Sequence, residues 1–202
     1  MREERFLNIW DDMPLKDAQA LKEMFFAWEH YPIYEHAMRN LRHDVLYQSY
    51  MHGVGHIHRV MLLGALLCML QHLNAEDTRL AMEACSYHDT GRVDDSLDDA
   101  HGARSAANVE AITGRSGDDL AILRAAMTVH SISDKNREAV MEACGVQDVK
   151  RANMIASILK DADGLDRVRI WDLDVRYLRS DAAQVLVEFA YALCYTYHQI
   201  KE

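Results

Sequence analysis

His56, the adjacent pair His88 and Asp89, and the aspartates of the segment KDADGLDR at 160–167 stand in the order H…HD…D along a chain of 202 residues. Any one of these histidines alone reads as a hydrogen-bonded core or helix-end residue. The ordered set reads as a metal site, because imidazole nitrogens and carboxylate oxygens are the donors of an open, mixed-ligand divalent centre. Manganese, iron, cobalt, nickel or magnesium suits such donors better than the closed coordination of structural zinc. A cation held this way brings the pKa of bound water toward about 7 and polarises an oxygen that gains charge. The implied chemistry is hydrolysis.

Helices must position these residues. Apolar residues recur with a 3.6-residue period, and nowhere does a period of two run between hairpin turns. The expected class is all-α, with helices near 15–29, 33–50, 54–73, 76–88, 103–113, 117–131, 135–144, 148–163 and 181–200. Asn74 and the stretch 116–118 look like N-terminal caps, while Gly145 and Gly164 look like stops. His56 shares an inward stripe with Val60, Leu63, Leu67 and Leu70, and His58 points the other way. Ala81, Ala84, Cys85 and His88 form a second stripe whose small side chains let helices approach closely. His130 ends a third, through Leu120, Leu123 and Met127. Three inward histidines on three helices predict one polar centre inside a helical bundle. For the last carboxylate, the face of Ala152, Ile155, Ile158, Leu159 and Ala162 favours Asp163 over Asp161. Asp166 returns to the same face if the helix continues through Gly164, so phase leaves Asp163 and Asp166 both open. The aspartate-rich segment 90–102 is a loop beside the HD pair, a place where substrate contacts gather.

The bulk properties frame this reading. The length suits one domain over 1–202, half the residues are apolar and about a quarter are charged, as in an ordinary globular protein. A formal charge of −10 argues against nucleic acid polymers and anionic membranes as partners, but not against a small anion met by local arginines. Cys68, Cys85, Cys144 and Cys194 are dispersed in apolar stretches and read as reduced, buried thiols. The first residues carry interspersed charges rather than a signal-peptide core, and the apolar run at 60–70 is too short for a membrane span. A cytoplasmic protein is expected. The C-terminal stripe of Val185, Phe189, Leu193 and Tyr197 reads as core packing rather than a dimer seam, and oligomeric state is not legible.

HGVGHIHRV at 52–60, YHDTGR at 87–92, HGARSA at 101–106, VHS at 129–131 and KDADGLDR at 160–167 together resemble the HD-domain superfamily of metal-dependent phosphohydrolases. The resemblance covers about 50–167, with flanking helices on both sides. It implies a single HD-type helical domain with His56, His88, Asp89 and Asp163 as metal ligands, Asp163 matching the aspartate of the family's alanine-aspartate-x-leucine segment. Two-metal members of the superfamily use further histidines between the HD pair and the final aspartate, where His101 and His130 lie. His101 follows Asp89 by only twelve residues, closer than in those branches, so one metal is favoured and two remain open. His101 either caps the next segment or else contacts phosphate or donates a proton, and His130 lies near the cavity. His52, four residues before His56, either supports that ligand or packs against the next helix.

Phosphate recognition calls for cations beside the metal. Arg92, three residues past Asp89, leads, followed by Lys160, Arg167 and Arg104, each with surface ion pairing as the alternative. No glycine-rich phosphate loop and no nucleophile elbow is present. The expected function is hydrolysis of a phosphate ester or anhydride of a small metabolite, a nucleotide or deoxynucleotide by the resemblance, with Asp89, His130 and His101 closest to the chemistry. The rivals are a di-iron oxygenase of the same helical type, using His101 and His130 for a second iron, and a noncatalytic ligand-binding module.

Overall fold

The longest apolar stretch of the chain becomes its central helix. Val54–Leu70 buries fourteen of its seventeen residues, so it is covered by neighbours on nearly every side. It is α4 in a computed structural model that describes residues 3–14 and 18–201. Among the described residues the secondary structure is eleven α-helices with five short 3-10 turns and no strand. The helices are α1 Glu3–Leu7, α2 Ala18–Ala27, α3 Tyr31–Arg39, α4 Val54–Leu70, α5 Ala75–Tyr87, α6 His101–Thr113, α7 Gly117–His130, α8 Arg137–Ala143, α9 Val149–Asp166, α10 Asp181–Val185 and α11 Val187–Lys201. The all-α class expected from periodicity is what the chain adopts.

α4 packs on α5 and α9, α7 packs on α6 and α9, and α3 and α11 close the flanks. One contiguous apolar cluster runs from Phe6 to Tyr197 through all of these helices. Two glycines set the approach of α6 to its neighbours. A Cβ on Gly102 would lie 2.3 Å from the Met127 carbonyl oxygen of α7, and one on Gly91 would lie 2.4 Å from the His101 carbonyl oxygen. Any larger residue would push α6 away from both α7 and the HD segment.

Several expected boundaries shift, each for a local reason. The helix at 33–50 stops at Arg39, because 43–45 forms a 3-10 turn that buries Leu41 and Leu46 on either side. Gly164 does not stop α9; buried Leu165 and Asp166 carry the helix one more half turn. The C-terminal helix at 181–200 breaks at Leu186, which turns Leu186 inward and leaves Val185 74% exposed, whereas Phe189, Leu193 and Tyr197 join the core as expected. α6 begins at His101 rather than 103. Residues 15–17, where the first expected helix starts, lie outside the described residues, and α1 is too short to leave a periodic signal.

His58 does not face solvent. α1 and the 43–45 turn cover that side of α4, and the Phe6 ring lies 5.1 Å from the His58 ring. Asn74 caps α5 as expected by accepting from the Asp77 amide at 2.9 Å. Ser116 occupies the cap position of α7 without a side-chain bond. The four cysteines are free, Cys68, Cys85 and Cys194 buried and Cys144 partly so. No helix among the described residues is long and apolar enough to cross a membrane.

Candidate metal centre

Five helices deliver the polar groups of the core to one place. His56 lies in the first turn of α4, His88 caps the end of α5 and Asp89 follows it. His101 opens α6, His130 closes α7, and Asp163 lies in the last turn of α9. Each imidazole is held from behind. His88 Nδ1 donates to the Cys85 carbonyl at 3.0 Å, His130 Nδ1 to the Met127 carbonyl at 2.5 Å, and His101 Nδ1 to the Asp98 carbonyl. A carbonyl oxygen only accepts, so these partners assign the proton to Nδ1 and leave the lone pair on Nε2. His56 Nδ1 meets a carboxylate oxygen of Asp166 at 2.7 Å, with the same consequence.

The four Nε2 atoms therefore turn their lone pairs into a common space. His56 and His88 bring theirs within 3.1 Å, and His101 and His130 within 2.8 Å. Two acceptors this close repel unless positive charge lies between or beside them. Burial also pushes the His88 imidazole down to about 3, so it is neutral at ordinary pH. A divalent cation is the charge that such donors accept, and the arrangement fits one.

The carboxylates complete two donor sets. Asp89 Oδ1 lies 3.2 Å from His101 Nε2 and 3.6 Å from His130 Nε2, while Oδ2 lies 3.6 Å from His56 Nε2 and 3.8 Å from His88 Nε2. Asp163 Oδ1 is 3.4 Å from His56 Nε2. The donor atoms of His56, His88 and Asp163 lie within 4.8 Å of one another, as do those of His88, Asp89 and His130. Asp89 thus faces one histidine pair with each oxygen. Burial alone would raise its pKa, but His88, His101, His130 and His56 outweigh it and hold the carboxyl well below the usual range. Asp163 is likewise held low, by His56, His88 and His130 against burial, and 27% of its side chain is exposed.

Asp166 does something that spacing did not reveal. It accepts from Arg59 Nε at 2.6 Å and Nη2 at 3.0 Å, with Arg169 Nη1 at 3.4 Å, while its Oδ2 holds His56. Its oxygens are committed behind His56, which leaves Asp163 as the α9 carboxylate on the Nε2 side. Against burial, Arg59 and His56 keep Asp166 ionised far below the usual range. The sequence signal was the pairing of His56 with Arg59 and Asp163 with Asp166, each three residues apart on one helical face. His52 pairs with Asp95 at 2.8 Å and packs its ring 5.9 Å from that of His56, behind the ligands rather than among them.

The expected phosphate-binding cations separate sharply. Lys160 donates to the Val129 and Ile132 carbonyls at 2.9 and 2.7 Å and pairs with Asp134 at 2.8 Å, which uses all three of its protons. Arg167 pairs with Asp172, and Arg104 with Asp98 and the Gly91 carbonyl at 2.7 Å. These three are structural bridges. Arg92 stays at the centre, its Nε 3.0 Å from Asp89 Oδ2 but out of line for a hydrogen bond. A cleft of about 660 Å³ opens on the centre through His130 and Asp163, rimmed by Lys135, Arg179 and Tyr177. Arg179 is tied to Asp134 at 2.8 Å, whereas Lys135 projects into solvent.

Asp161, set aside in the sequence reading, is fully buried, with both oxygens engaged by the 179–180 segment rather than by the candidate ligands. It accepts from the amides of Arg179 and Ser180 at 2.8 and 3.0 Å and anchors that segment beside the cleft. Compared with known proteins, the chain matches no family model, no curated sequence and no solved structure.

Proposed function

We propose that the chain is an HD-type phosphohydrolase that holds two divalent ions and cleaves a phosphate ester or anhydride of a small metabolite, a nucleotide or deoxynucleotide leading. The observation that carries the reading is Asp89, which offers one oxygen to His56 and His88 and the other to His101 and His130. His56, His88 and Asp163 would hold one ion, and His101 and His130 the other, with Asp89 shared. This departs from the single ion that spacing favoured. The short interval from Asp89 to His101 is bridged because α6 starts at His101 itself and Gly102 seats it against α7. Four imidazoles favour manganese, iron, cobalt or nickel over magnesium, which takes oxygen donors.

Bound there, divalent ions acidify a water and polarise a phosphoryl oxygen. The chain's own residues supply the geometry. Asp166, Cys85, Asp98 and Met127 fix the four rings, so the ligands need no reorganisation on binding. Arg92 sits where a guanidinium can meet phosphate oxygens, and Lys135 lies on the cleft rim where a distal phosphate or sugar group would pass. Hydrolysis adds hydroxyl to phosphorus and a proton to the leaving oxygen, and partly exposed Asp163 and buried His130 border the cleft through which that water would enter.

The test is a metal-reconstituted assay against a panel of nucleotides and phosphate monoesters. Wild type should turn over at least one member in a metal-dependent way, and Asp89→Ala should fall to background while remaining folded. Two bound metals with no turnover on any phosphate would sink the hydrolase. A second reading, a di-iron oxygenase, is favoured by the extra histidine pair and by the commitment of Lys160, Arg167 and Arg104 to carboxylates outside the central cluster. It requires iron in pairs and consumption of dioxygen, which the same preparations can be scored for.

A further inference from the structure

A second group of ligand-type side chains converges outside the lining of the cleft, where α1 and the 43–45 turn meet α4. Glu3 comes from α1, His43 from the turn at 43–45, and His58 from the side of α4 opposite His56. Their donor atoms lie within 4.8 Å of one another. The Glu3 carboxylate is 2.5 Å from His43 Nε2 and 4.0 Å from His58 Nε2.

His58 makes this more than a surface cluster. Its ring is fully buried, and neither nitrogen has a hydrogen-bond partner among the described residues. Buried polar atoms are almost always satisfied, so an imidazole with both nitrogens orphaned points to a missing partner. The Phe6 ring lies 5.1 Å away and the His43 ring 6.3 Å away at 88°, which confines His58 without bonding it. Among the described residues, Glu3 and His43 are the ligand-type groups that approach it. Those two are partly exposed, so an ion can enter from solvent and keep a water in an open position.

We infer that Glu3, His43 and His58 form a peripheral site for a divalent transition metal, zinc by its donor set of two imidazoles and one carboxylate. Zinc takes these donors in tetrahedral coordination and accepts water as the fourth ligand. Such an ion would satisfy His58 and fasten α1 and the 43–45 turn onto α4. α1 is a five-residue helix, too short to persist without tertiary support. The inference does not depend on what the central cluster does.

The test is a zinc and cobalt(II) titration of the full chain after chelation, counting tightly bound ions by elemental analysis and reading cobalt absorption. Wild type should hold one ion more than His43→Ala and one more than Glu3→Gln, with that ion weakened on the order of tenfold or more in each variant. His43 is half exposed, so its replacement leaves the core intact. Equal ion counts and affinities in wild type and His43→Ala would overturn the site. A second measurement uses His130→Ala, which removes a central ligand. Zinc should raise its Tm, and the rise should shrink when His43→Ala is added; an undiminished rise would equally overturn the inference.

Discussion

At the scale of single residues, the central cluster depends on Asp166, a carboxylate committed behind His56 rather than turned toward the four Nε2 atoms. Asp166 holds His56 by Nδ1 and neutralises Arg59, and all three are buried. Asp166→Asn should therefore act twice. Metal affinity should drop by about 10- to 100-fold, because His56 loses the partner that fixes its ring and basicity. Stability should fall by about 3 to 5 kcal/mol, because Arg59 is left with an uncompensated buried charge. Calorimetric metal titration and denaturant unfolding read the two effects separately. If affinity is unchanged while stability falls, Asp166 serves Arg59 alone. The convergence of His56 and His88 was legible from helical phase and that of Asp89 from its place beside His88, whereas phase left Asp163 and Asp166 both open and only the family resemblance preferred Asp163. Asp166 was legible only as an alternative ligand, because phase locates a face and not which way along it a carboxylate reaches. Lys160 misled for a related reason: a cation beside a metal motif looks available until the carbonyls of Val129 and Ile132 are seen to consume its protons.

At the scale of elements, the second histidine pair depends on how closely α6 lies on α7. Gly102 permits that contact, since a Cβ there would meet backbone, the Met127 carbonyl oxygen, at 2.3 Å. Backbone cannot rotate away as a side-chain end can. Gly102→Ala should separate the helices, part His101 from His130 and cost about 1 to 3 kcal/mol as overpacking does. The specific expectation is loss of one bound ion per chain with the other kept, measured by elemental analysis. Retention of both ions would mean that the loop before α6 absorbs the displacement. The helical elements themselves were largely readable, because α4, α5, α7 and α9 carry long periodic stripes. The misread ends share a cause. At 40–50, around Gly164 and at Leu186, helix continuation was decided by burial of residues such as Leu41, Leu165 and Leu186 against distant segments, which periodicity within one segment does not encode. α1 left no signal at all, and with it went the burial of His58.

At the scale of the whole molecule, burial of imidazoles gives the fold a dependence on pH. His58 and His88 are both pushed down to about 3 by burial, whereas an exposed histidine titrates near about 6.5. In the unfolded chain they bind protons as pH falls below that higher value, and in the folded chain they do not. Stability from these two groups is therefore complete above about pH 6.5 and is lost progressively toward about pH 3, with a combined slope approaching about 2.7 kcal/mol per pH unit. Ionised Asp134, held at about 2 against burial by Lys160 and Arg179, adds loss of the same sign only below about pH 4. The metal-stripped protein should thus begin to lose Tm between pH 6.5 and 5, earlier than carboxylate titration alone would bring. His58→Leu should flatten that limb by roughly half, because one of two buried bases is gone. Thermal melts in chelator at half-unit pH steps decide it: a Tm constant from pH 7 down to 4.5 would mean that both rings find partners or water in the metal-free fold. Saturating zinc or manganese should lift the whole curve by mass action, about 2.7 kcal/mol at a hundredfold excess over Kd. The lift should fade with acid, since protons and metal compete for the same Nε2 lone pairs.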